Sequence, residues 1–188
     1  MTLWLVRHAQ VLAPPGTCYG ALDLPADPDA TRDCAAALAQ TLPAGARVST
    51  SPLQRCEQLA QALIGLRPDL TVKTDARLQE MNFGAWEGRP WATISQTQFD
   101  AWTADFAGHA VGGHGDTVAS VMARVGLAFD ELAASQQAHA VWITHAGIIR
   151  AAQLIASGVR HVDRADHWPQ EGVACGQWRT LEPVMPLK

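Results

Sequence analysis

Short apolar runs of strand length alternate with helix-length stretches along this 188-residue chain, and that alternation leaves few architectures open. Residues 2–6, 47–50, 71–73 and 141–144 read as strands. Helical patterns occupy 30–41, 51–63, 147–157 and a long stretch from Asp116 or Thr117 to about Gln136. Strands and helices in alternation favour a mostly parallel sheet covered on both faces. The expected class is therefore α/β, a three-layer sandwich closed by a last edge strand at 173–180. The Pro- and Gly-rich segment 10–29 predicts an ordered loop, 78–86 a loop or bridge, 90–106 short helices, and 107–115 a Gly-rich loop. Ser51-Pro52-Leu53-Gln54 has the look of a helix start, with Ser51 as cap, Pro52 in first helical position and Gln54 closing a capping box. With no repeat or linker in view, one domain over residues 1–188 is expected.

The parallel-sheet reading gives two histidines a special place. Arg7 and His8 follow directly on the first strand, and His145 follows directly on the strand at 141–144. In open α/β sheets the carboxyl ends of the strands are where ligands bind. Arg55 lies in the first turn of its helix, where backbone N–H groups and the helix dipole favour an anion. Glu80, in Leu78-Gln79-Glu80-Met81-Asn82-Phe83-Gly84, adds a carboxylate. Glu87 lies close enough in sequence to compete for its role, and Glu80 is preferred.

Two arginines, two histidines and a carboxylate suit phosphoryl transfer, in which catalysis is largely positioning and charge stabilisation. An Arg fork pairs two phosphate oxygens at once. A neutral imidazole can attack phosphorus and split one displacement into two. A carboxylic acid beside the anionic group can then hand a proton to the leaving alkoxide. Its ionised form would repel the substrate, so the complex requires it protonated.

Composition narrows the field. A hydrophobic share of 48% and a charged share of 17% belong to a globular chain rather than a disordered one. The formal charge of −4 argues against a nucleic-acid partner, while a locally positive site still admits a small anion. No apolar run approaches the roughly 18–20 residues of a membrane span, and no secretory leader is visible, so the expectation is a cytoplasmic protein with no membrane partner. Cys18, Cys34, Cys56 and Cys175 lack zinc spacing and are expected as reduced thiols. The pair His109 and His114 has no partnered carboxylate or Cys, so neither a metal nor a cofactor is expected. A small phosphomonoester is the expected partner; a homodimer is compatible with a sequence that leaves the oligomeric state open.

Taken in order, these fragments resemble the histidine phosphatase superfamily, with its phosphoglycerate-mutase-like fold. The hallmark Arg-His-Gly after the first strand is matched by Arg7-His8-Ala9, and the likeness continues through Ser51-Pro52-Leu53-Gln54-Arg55-Cys56 to Thr144-His145-Ala146-Gly147-Ile148-Ile149-Arg150. The resemblance implies His8 as phosphate-accepting nucleophile, Arg7, Arg55 and His145 as the phosphate pocket, and Glu80 as proton donor. Cys18-Tyr19-Gly20 with Leu22-Asp23, and Phe83-Gly84-Ala85-Trp86-Glu87-Gly88, are similar to the α-ribazole phosphatase branch. That likeness implies α-ribazole 5′-phosphate as substrate and adds Tyr19 and Gly20 to the substrate-binding set. Gly115-Asp116-Thr117 resembles the family's Gly-Glu-Ser before a long helix.

The chain departs from the pattern at Ala9, where Gly is usual, at Val11 and Pro14, where Thr and Asn are frequent, and at Ala21, where the branch usually has Arg. These departures bear on the substrate more than on the chemistry. A phosphoglycerate mutase-type phosphotransferase is the enzymatic alternative, and a phospho-ligand binding module without turnover is the non-enzymatic one. Of the seven tryptophans, Trp86, Trp91 and Trp102 are candidates for a substrate-facing lid, with a core role as the alternative.

Overall fold

A computed structural model describes residues 1–135 and 137–182. It shows the expected α/β sandwich. The strands β1 (Thr2–Arg7), β2 (Arg47–Thr50), β3 (Thr71–Thr74), β4 (His139–Thr144) and β5 (Trp178–Leu181) form one sheet in the order β3-β2-β4-β1-β5. All neighbours are parallel except β5, which closes the edge antiparallel to β1. The helices are α1 (Pro28–Thr41), α2 (Gln54–Leu66), α3 (Gln96–Ala104), α4 (Val118–Ala134) and α5 (Ala146–Ala156).

Side-chain alternation along β1 makes the two cores. Leu3 and Leu5 pack on one face with Trp142 and the apolar sides of α4 and α5. Val6 turns to the other face, where Val48, Val141 and Ile143 meet α1 and α2. A one-residue slip would exchange these faces, so burial on both sides pins the register. In that register Arg7 stands beside Thr144, and the N–H of His8 donates to the Thr144 carbonyl at 3.1 Å. The two strand-end histidines thus leave adjacent strands at the same edge of the sheet.

Several boundaries differ from the sequence reading for local reasons. α1 begins at Pro28 rather than residue 30, because Asp27 caps it, its carboxylate accepting from the N–H groups of Asp29 and Ala30 at 2.9 Å. The capping box expected at Ser51 does not form. α2 starts at Gln54, its cap position is Leu53, and Ser51 turns inward. The N–H of Gln54 instead finds Asp23 Oδ1 at 2.7 Å, and the Gln54 side chain donates to the Asp23 carbonyl. The loop after β1 thereby supplies from a distance what Ser51 was expected to supply locally. Of the two expected caps, Asp116 and Thr117, it is Thr117 that caps α4, in a full capping box with Ser120; Gln136, the expected end of that helix, lies outside the described residues. The final strand is shorter than 173–180, because residues 173–177 bend under the end of β1: the N–H of Arg7 donates to the Gln177 carbonyl, and the N–H of Gly176 donates to the carbonyl of His8. No described helix is long and apolar enough to cross a membrane.

Candidate active site

A cavity of about 700 Å³ opens at the carboxyl ends of β1 and β4. Arg7, His8, Tyr19, Glu80 and Arg150 supply its polar lining, and Phe83, Trp91, Phe99, Trp102, Phe106 and Trp168 give it an aromatic wall. Of the expected lid tryptophans, Trp91 and Trp102 face the cavity, whereas Trp86 is buried behind them as a core residue.

His8 is 2% exposed, and its Nδ1 lies 2.7 Å from the carbonyl of Ala9. A carbonyl only accepts, so Nδ1 carries the proton and the lone pair is left on Nε2. Burial, joined by the charges of Arg55 and Arg7 and opposed by the Ala9 hydrogen bond, pushes His8 down to about 3. The ring is therefore neutral at physiological pH, the form in which an imidazole attacks phosphorus. Arg7 donates from Nη1 to the Val173 carbonyl at 2.9 Å, and its buried Nε has no partner among the described residues.

Arg55 and His145 form a second, wholly buried layer that does not line the cavity. Arg55 donates to the carbonyls of Gly20 (2.6 Å) and Leu22 (2.9 Å) and from Nε to His145 Nδ1 (3.3 Å), and its guanidinium stands 5.3 Å from the Tyr19 ring centre. With Nδ1 accepting, His145 carries its proton on Nε2 and donates to Ser51 Oγ at 2.8 Å. Burial and the nearby Arg55 charge hold His145 well below the ordinary histidine range. Its ring centre is 5.2 Å from that of His8. His145 thus stands against the His8 ring, and the Arg55 charge helps keep His8 uncharged.

The two candidate carboxylates separate cleanly. Glu80 lines the cavity, where its oxygens accept the N–H groups of Met81 (3.0 Å) and of Gly147 in the first turn of α5 (3.1 Å). A Cβ at position 147 would stand 2.5 Å from Glu80 Oε1, so a side chain there would push the carboxylate from its present place. Glu87 accepts four backbone N–H groups, from Gly20, Ala21, Leu22 and Phe83, at 2.8–3.1 Å, and so fastens the loop at 20–22 to the segment around 83. It does not line the cavity.

Tyr19 lines the cavity as expected, but Gly20 does not. Its N–H goes to Glu87, its carbonyl to Arg55, and a Cβ there would lie 1.8 Å from the Met81 carbonyl oxygen. Close packing, rather than substrate contact, accounts for glycine at this position. Ala9 likewise lines a separate small pocket with Cys34 and Cys175 and is not among the residues around the main cavity. Arg150 and Trp168 were not singled out from sequence. The spacing of Gly147 and Arg150 on one helical face is the signal that points to the former. All four cysteines are free thiols, and the described residues hold no group of three side chains suited to a metal ion.

The buried neutral histidines predict a dependence of stability on pH. Both have folded values below the unfolded value of 6.5, so below that pH the unfolded chain binds protons that the native state refuses. Their stabilisation is full above pH 6.5 and is lost as pH falls from there toward 3 for His8. Two such groups weaken the fold by about 2–3 kcal/mol between pH 7.5 and pH 5.5, at roughly 1.4 kcal/mol per group per pH unit. Urea unfolding at the two pH values measures it, and a change below about 1 kcal/mol would mean that the pair is not held neutral.

Comparison with known proteins agrees with this fold. The model of the histidine phosphatase superfamily (branch 1) matches residues 3–175. A search of curated protein sequences returns no match. Among solved structures, mycobacterial glucosyl-3-phosphoglycerate phosphatase superposes with a TM-score of 0.79 at 26% identity, over 95% of this chain and 88% of that one. The same mycobacterial enzyme complexed with VO3 gives 0.80 at 26% identity, covering 96% and 92%. The Thermus thermophilus protein TTHB049 gives 0.70 at 28% identity, covering 97% and 94%.

Proposed function

The chain belongs to the histidine phosphatase superfamily, and from that premise we propose that it is a metal-independent phosphomonoesterase working through a phosphohistidine on His8. One observation carries the reading: a neutral imidazole with its Nε2 lone pair free, beside Arg7 in a cavity that Glu80 also lines. Nε2 attacks phosphorus as the ester P–O bond breaks, and the leaving oxygen takes the proton of Glu80. Water then attacks the phosphohistidine, gives its proton back to Glu80, and releases inorganic phosphate. Arg7, which lines the cavity, pairs the phosphoryl oxygens through both steps. That the mycobacterial relative accepts VO3 and inorganic phosphate in its structures supports the same kind of pocket here.

For the organic part of the ester, the aromatic wall is the guide. Trp91, Phe99, Trp102 and Trp168 offer flat apolar surface to a leaving group, and aromatic pairs contribute about 0.5–1.5 kcal/mol each beyond area burial. The flat base of α-ribazole 5′-phosphate fits such a wall, which makes it the proposed substrate. The test is phosphate release, with EDTA present, from α-ribazole 5′-phosphate, p-nitrophenyl phosphate and 3-phosphoglycerate. The expected order puts kcat/KM for the ribazole ester at least about tenfold above that for 3-phosphoglycerate, one stacking contact's worth or more. The reverse order would remove the ribazole assignment. Exchange between 3- and 2-phosphoglycerate without phosphate release would turn the reading to a mutase, and binding without turnover of any ester to a non-catalytic module.

A further inference from the structure

Seven of the chain's twelve arginines are ion-paired with a carboxylate among the described residues; Arg150, although half-buried, is not one of them. It lies on α5 and lines the cavity, anchored by hydrogen bonds from Nε to the Pro169 carbonyl (2.8 Å) and from Nη2 to the Gln170 carbonyl (3.4 Å). Those bonds satisfy part of the guanidinium without neutralising its charge.

Glu80 lines the same cavity. That carboxylate sits on the N–H of Gly147, and Arg150 follows three residues later, on the same face of the helix. Burial pushes the Arg150 guanidinium down from its ordinary value; Glu80 opposes this and Arg7 adds to it. The other cation close to Glu80, Arg124, donates to the carbonyls of Arg77, Gln79 and Glu80 and is already paired with Asp116 at 3.5 Å. With Arg7 committed to the phosphoryl oxygens, Arg150 is the cavity cation whose charge is available to the donor carboxylate.

We propose that Arg150 is a positioning residue for proton transfer, its fixed charge stabilising the carboxylate that Glu80 becomes when its proton passes to the leaving oxygen. In that step the Nε2–P bond forms and the ester P–O bond breaks, with the bonding pair remaining on the leaving oxygen. That oxygen takes the Glu80 proton, and the O–H pair stays on Glu80. Negative charge thus moves from the leaving oxygen to Glu80, where the Arg150 charge acts on it. The proposal rests on the reading of Glu80 as proton donor.

Its test is the dependence on leaving group. An alkyl ester such as glycerol 2-phosphate needs the proton; p-nitrophenyl phosphate, whose phenolate departs unaided, does not. Arg150→Gln keeps a donor for the loop carbonyls and removes the charge; Arg150→Lys keeps the charge. For Arg150→Gln we expect kcat/KM to fall about tenfold on the alkyl ester, a fraction of what a general acid supplies, and to stay within about twofold on p-nitrophenyl phosphate. Arg150→Lys restores most of the loss. Arg150→Met gives the same contrast should the Gln variant melt early. Equal losses on both esters would reduce Arg150 to a structural tie for the loop at 169–170, and no loss on either would also overturn the proposal. Glu80→Gln is measured alongside. If it shows the contrast and Arg150→Gln does not, only Arg150 is misassigned; if Glu80→Gln shows none, the donor assignment falls and this proposal with it.

Discussion

Replacing His8 by Ala is expected to lower kcat/KM for every phosphomonoester by about 10⁴-fold or more, as losing the nucleophile does in other covalent enzymes. The structure gives the reason in one atom. Nδ1 is committed to the Ala9 carbonyl, so Nε2 is the ring nitrogen free to form the covalent bond. No neighbour can replace it. His145 is wholly buried, its Nδ1 accepting from Arg55 and its Nε2 donating to Ser51. Cys56, also fully buried, is held as a thiol because burial pushes it above the usual range. Phosphate release by purified wild type and variant, with EDTA present and melting curves as a control on folding, measures the effect. A folded variant keeping a tenth of the activity would mean that the covalent bond forms elsewhere or not at all.

Glu80→Gln is expected to cost about 10²–10⁴-fold on alkyl esters, the range that general acid catalysis supplies, and much less on p-nitrophenyl phosphate. The amide has nearly the shape of the acid but no proton to give. It also has one acceptor oxygen where the carboxylate has two, so either the Met81 or the Gly147 N–H loses its partner. That should cost about 1–3 kcal/mol in stability. Glu87→Gln separates the two carboxylates. Its four backbone partners predict a lower melting temperature and no leaving-group contrast. A contrast appearing in Glu87→Gln and not in Glu80→Gln would exchange their roles.

The parts of the site that could be read from the sequence were those that local pattern determines. His8 and His145 stand at strand ends because the apolar runs before them are short and each is followed by residues that cannot continue a buried strand. Their adjacency follows once β1 and β4 pair in parallel, with Arg7 beside Thr144. The helix at 118–134 was legible from Thr117 onward because its cap is local.

What escaped the sequence depends on partners far along the chain. The sequence favours Glu80 over Glu87 from pattern placement, but it takes the loop at 20–22 folding over Glu87 to show what holds that carboxylate. Arg55 could be placed in the first turn of α2, but its side chain turns to the Gly20 and Leu22 carbonyls and lies behind the cavity wall. Ser51 has the composition of a cap, yet its hydroxyl bonds His145 because Asp23 serves the helix end in its place. Gly20 looked like a substrate contact and proves to be a packing requirement. Arg150 is an ordinary residue of an amphipathic helix until the loop at 169–170 shows that carbonyls, not a carboxylate, hold it in place.

The phosphohistidine is the claim on which the rest depends, and it can be caught directly. The protein is mixed with phosphorus-labelled substrate in EDTA, quenched within milliseconds in alkaline denaturant, where phosphohistidine survives, and digested for mass analysis. The account predicts the phosphoryl group on the peptide containing His8, attached at Nε2 and lost on brief exposure to acid. Label on another residue, or turnover in which the alcohol is released in a burst while the His8 peptide stays unlabelled, would contradict it.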